Sequence, residues 1–102
     1  MKLNYSIDLD QSEQFVNIFI LGVLVALKNR SISLDDAEGF IFKPFIADFF
    51  KQNISENLSE LVTNGCELED YVDLNLNSLD DRINTLISNL LVEISKKMIL
   101  VD

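Results

Sequence analysis

The segment Phe15–Leu27, FVNIFILGVLVAL, constrains the fold most, because it carries no charge and is apolar nearly all round. A helix of that kind needs other elements on several sides, or a bilayer. The run spans 13 residues, against the ~20 that cross a membrane. Asp8, Asp10 and Glu13 precede it where a secretion signal carries positive charge, and no small-residue cleavage site follows. The expectation is therefore a core helix enclosed by neighbours, with no membrane role. Gly22 inside it costs about 1 kcal/mol of helix propensity, which predicts the close approach of a neighbouring backbone as compensation.

The remaining chain reads as helices around that centre. Residues 3–9 alternate, with Leu3, Tyr5, Ile7 and Leu9 on one face, the period of a half-buried strand. Asp10 and Glu13 have capping-box spacing, so the first helix is expected from about Gln11 to Lys28. Ser33 with Asp36 repeats that signature, and Ile32 stands where a staple residue would. The second helix is expected to run to about Phe42, since Pro44 disfavours helical geometry at Lys43. Pro44 suits the first turn of a third helix ending near Gln52. Asn53 or Ser55 caps a fourth, with Leu58, Leu61 and Val62 on its apolar face and Asn64-Gly65 as its left-handed terminus. Val72, Leu74 and Leu76 alternate, so 71–76 is expected to be extended and to pair with 3–9. Ser78 and Asp81 cap a last helix, whose Leu79, Ile83, Leu86, Ile87, Leu90, Leu91, Ile94 and Met98 recur at helical spacing. The fold expected over residues 1–102 is one mainly helical domain of about five helices with a short two-stranded β element.

Composition narrows the chemistry. With no histidine and a single cysteine, Cys66, the chain lacks Ser-His and Cys-His catalytic pairs and imidazole metal sites. The lone cysteine forms no internal disulfide, which suits a reducing cytoplasm. Gly22, Gly39 and Gly65 lie too far apart for a phosphate-binding loop. No base near Cys66 in sequence would lower its pKa, and no carboxylate pair is marked as buried. The expectation is no enzyme, no cofactor and no metal. A net charge of −9, from 17 acids and 8 bases, opposes binding to nucleic acid and favours a basic protein partner.

The acids are unevenly placed. Between Lys51 and Arg82 there is no base, while Glu56, Glu60, Glu67, Glu69, Asp70, Asp73, Asp80 and Asp81 all fall there. Two readings compete: a surface prepared for a basic partner, or a solvated face that keeps a small protein soluble. Glu56, Glu60, Glu67, Glu69, Asp70 and Asp73 are the candidate partner-binding residues. Asp73, Asn75, Asn77 and Asp81 have partial calcium-loop spacing. Ser78 replaces the required glycine there, and Asn84 the bidentate glutamate, which argues against a calcium site. Five of the seven phenylalanines fall in GFIFKPFIADFF, residues 39–50. Most are expected in the core, with one or two left outside as anchors.

The runs ISLDDAEGFIFKP, from Ile32 to Pro44, and NGCELEDYVDL, from Asn64 to Leu74, resemble a family of small bacterial proteins known only as a domain of unknown function. That resemblance implies no catalytic residues. In size, acidity and lack of catalytic groups the chain is also similar in type to immunity proteins of bacterial toxin–immunity pairs. The function expected is stoichiometric binding of a basic toxin domain in the cytoplasm. The alternative is a homo-oligomeric structural or regulatory protein.

Overall fold

Two serine caps set the boundaries of the middle helices. Ser33 Oγ accepts from the Asp36 N–H and Asp36 Oδ2 accepts from the Ser33 N–H, both at 3.0 Å, a complete capping box. Ser55 Oγ accepts from the Leu58 N–H at 3.1 Å. The computed structural model describes residues 1–4, 6–72 and 76–96. Six helices follow in order: α1 (Leu9–Lys28), α2 (Leu34–Phe40), α3 (Pro44–Asn53), α4 (Glu56–Cys66), α5 (Glu69–Val72) and α6 (Leu76–Lys96). Four of them have ten or more residues, and α5 has only four.

The helical class holds, whereas the β element does not. Residues 1–4 and 6–8 form no strand, and α1 begins at Leu9 behind an N-cap Asp8 that makes no side-chain capping bond. The Asp10–Glu13 pair lies inside that helix. Leu3 is exposed, so that end of the alternation has no apolar surface to bury against. Tyr71 and Val72 belong to α5, where the N–H groups of Asp70 and Tyr71 bond back to Glu67 and Leu68. Residues 73–75 lie outside the described residues, as do Tyr5 and Met98. Among the described residues there is no strand.

Two boundaries also move. α2 stops at Phe40, short of Phe42, because Ile41 and Phe42 turn inward and are buried. α4 continues through Gly65 to Cys66, and Gly65 has no left-handed backbone. The left-handed position falls on Arg30 instead, at φ 61°. There the Arg30 N–H bonds to Leu27 O and the Ser31 N–H to Ala26 O, closing α1 in a Schellman motif without glycine. Arg30 also donates to Asp80 Oδ1 at 2.8 Å, tying the end of α1 to α6. Ser78, expected as a cap, lies within α6.

The core is built from Ile20, Val23, Leu24 and Leu27 of α1, Leu79, Ile83, Leu86 and Leu90 of α6, and Leu58 and Val62 of α4. α1 packs chiefly against α6, and α3 against α4. Gln14 Nε2 donates to the Ile94 carbonyl at 3.0 Å across the first of these contacts.

The expected enclosure of α1 fails on one side. Phe15, Ile18, Phe19 and Val25 are exposed, and no atom approaches the space above Gly22. The glycine thus opens a groove and receives no neighbouring backbone. By length and composition α1 is sufficient to cross a membrane: Asp10–Lys28 has mean hydropathy 1.2, with 28% of that window buried. The phenylalanines divide in a similar way. Phe42 and Phe50 are in the core, whereas Phe40, Phe45 and Phe49 are exposed, one more than expected.

Candidate functional site

Helical spacing sets the first acidic group. Glu56, Glu60 and Glu67 recur at four and seven residues along α4 and its C-cap, so they share one stripe, and all three are exposed. Glu69 and Asp70 are exposed on α5, which follows at once. Asp73 lies outside the described residues. Among those described, no base forms an ion pair with any of these five acids; the two ion pairs present are Arg30–Asp80 and Lys96–Glu93. Asp80 therefore does not belong to the uncompensated group. Asn77 and Asp81 lie within α6, which leaves no calcium loop around them, and no metal-holding group of acids or Cys66 occurs among the described residues.

Tertiary folding adds an acid from elsewhere. Glu38 of α2 meets Glu69 of α5 across a shallow pocket that also includes Asp35, Ser33, Leu34 and Val72. Burial, then the Glu69 charge and the hydrogen bond to it, then the Asp35 charge, raise the Glu38 carboxyl above its ordinary value. Beside it, burial first and the Glu38 and Glu69 charges next push the Cys66 thiol upward, opposite to what a thiolate nucleophile needs. The capping bonds from Ser33 hold Asp36 below the ordinary carboxylate range.

A second cleft of about 190 Å³ opens between α1, α4 and α6. Glu13, Asn17, Glu60, Asn64, Asn89 and Glu93 line it, and Asn17 is only 4% exposed. Glu60 thus faces a polar cleft, while Glu69 faces Glu38. The acidic segment serves two neighbourhoods and not one continuous face. Sequence reasoning missed Glu38 and the asparagine cleft. Only the recurrence of Asn57, Glu60 and Asn64 at spacings of three and four hinted at a polar side of α4.

What this arrangement offers a partner is a set of hydrogen-bonding groups. It presents carboxylates and amides that accept or donate hydrogen bonds, in shallow surroundings open to solvent. Positive groups on a partner would relieve the repulsion between Glu38 and Glu69.

The chain belongs to the family described as "protein of unknown function (DUF3969)", whose model matches residues 8–99. That range includes both sequence runs that carried the resemblance. No curated protein and no solved structure matches the chain.

Proposed function

We propose that this family member is a stoichiometric protein-binding module whose acidic side receives a basic partner. In its specific form the reading is an immunity protein that occludes a cognate bacterial toxin. The observation supporting it is the apposition of Glu38 and Glu69, with Glu67 and Asp70 beside them and no base among the described residues to neutralise them. A protein selected only for stability gains little from two carboxylates lining one pocket, since neighbouring like charges oppose folding. Basic side chains arriving on a partner convert the same repulsion into attraction, which raises encounter rate and fixes register. Exposed Phe45 and Phe49 on α3 are available as apolar anchors for a partner.

The test begins with the genes flanking the one for this chain. A toxin domain encoded there, expressed with and without this protein, gives a viability assay and a purified partner. The reading expects rescue by the wild type and a one-to-one complex in calorimetry. A toxin that kills equally in both cases and gives no binding heat contradicts it.

A further inference from the structure

We infer that the chain forms a two-fold dimer through the outer face of α1, with the Phe19 ring of each copy seated over Gly22 of the other. The groove on that face has a volume of about 350 Å³. Phe19, Gly22, Ala26, Ile32 and Phe40 are among the residues that line it. A side chain built on Gly22 would meet nothing within 4 Å.

The pattern along α1 is complementary to its own reverse. In an antiparallel pairing about an axis between Ile20 and Leu21, residues equidistant from that axis face each other. Phe19 then lies opposite Gly22, and Phe15 opposite Ala26, large against small at both pairs. A two-fold axis makes each contact occur twice, the requirement of an isologous interface.

The exposed surface supplies a core for the area such an interface needs. Phe15, Phe19 and Phe40 are 46, 42 and 63% exposed, and Ile18 and Val25 are 54 and 40% exposed. With an aromatic side chain contributing ~150–250 Å², these five leave roughly 450 Å² of apolar surface per copy, over half of the ~800 Å² per partner in a standard interface.

The chemistry selects a second copy over other occupants. No charged residue lies between Glu13 and Lys28, so closing this face desolvates no ion. A basic partner would find no carboxylate on it. A lipid surface usually engages helices whose polar flank is rich in Lys and Arg, and a chain at −9 is repelled by anionic headgroups. The Asn17 side of α1 faces the cleft with α4 and α6, so the dimer leaves that side of the helix free.

Sedimentation velocity of the full chain across a concentration series tests the inference. The wild type is expected to reach twice the 11.6 kDa chain mass at micromolar concentration. Screening the net charge with salt should strengthen association. Gly22→Gln puts a side chain into the notch, where its Cβ meets nothing within 4 Å. It is expected to weaken the dimer by about tenfold or more while leaving the thermal midpoint of the diluted monomer unchanged or higher. Phe19→Ser removes the opposing ring and should weaken the dimer similarly. A wild type that stays monomeric throughout the series overturns the inference. So does a Gly22→Gln variant that dimerises as the wild type does. Co-sedimentation of a monomeric wild type with neutral phosphatidylcholine vesicles, abolished by Phe19→Ser, would assign the face to lipid instead.

Discussion

The ring of Phe42 occupies the space that a side chain on Gly65 would take. Gly65 sits inside α4 and is buried, and Phe42 is 3% exposed, so neither side has room to yield. In an open helix, replacing glycine by alanine stabilises by roughly 1 kcal/mol. Overpacking a filled core costs about 1–3 kcal/mol and decides the sign here. Gly65→Ala should lower the urea midpoint, and adding Phe42→Leu should restore part of the loss. An alanine variant more stable than the wild type would contradict the packing.

Arg30 holds a left-handed backbone that costs a non-glycine residue about 1–2 kcal/mol. It also pairs with Asp80, an exposed contact worth ~0–1 kcal/mol. Arg30→Gly removes both terms and should leave stability within about 1 kcal/mol of wild type. Arg30→Ala removes the pair and keeps the strain, so it should be the less stable of the two. Thermal midpoints measured side by side check that order.

The two perturbed carboxylates pull stability in opposite directions with pH. Asp36 is held low in the folded state, so its contribution is present above its ordinary value of 3.8 and lost as pH falls through the folded one. Glu38 is raised, so the fold is favoured below the ordinary value of 4.5 and weakened as pH rises through the folded one. Glu38→Gln should therefore raise the unfolding midpoint at neutral pH and converge with wild type below 4.5. Equal midpoints at both pH values would show that Glu38 is not crowded by Glu69.

The parts of the fold that were legible rest on local chemistry. Ser33 with Asp36, Ser55 and Pro44 act within one turn of the residues they cap, and each marks a helix start where the structure has one. Leu79, Ile83, Leu86 and Leu90 reveal their burial by spacing alone. The misread parts depend on distant partners. Gly65 looked like a helix terminator because nothing nearby in sequence announces the Phe42 ring. Alternation at 3–9 suggested a strand, yet a strand needs a partner, and the proposed one is in part helix α5. For the site, Glu69 and Asp70 stood out by their run of like charge, whereas Glu38 joined Glu69 only through the pocket they share. The bareness of Phe19 was hidden for a related reason: a helix apolar all round does not say which side its neighbours cover.

The central claim is that the acids beside Glu38 steer a basic protein onto this surface. The most direct measurement is the association rate, by stopped flow across a salt series, with a toxin domain identified among the flanking genes as the proposed partner. Wild type is compared with the triple variant Glu67→Lys, Glu69→Lys, Asp70→Lys. Glu67→Lys and Asp70→Lys are exposed changes worth no more than about 0.5 kcal/mol each. Glu69→Lys relieves Glu38 and should raise stability. Circular dichroism melts verify that the variant folds. The account predicts a rate lower by about tenfold or more and a flatter salt dependence. An unchanged rate and salt slope in the folded triple variant would contradict it.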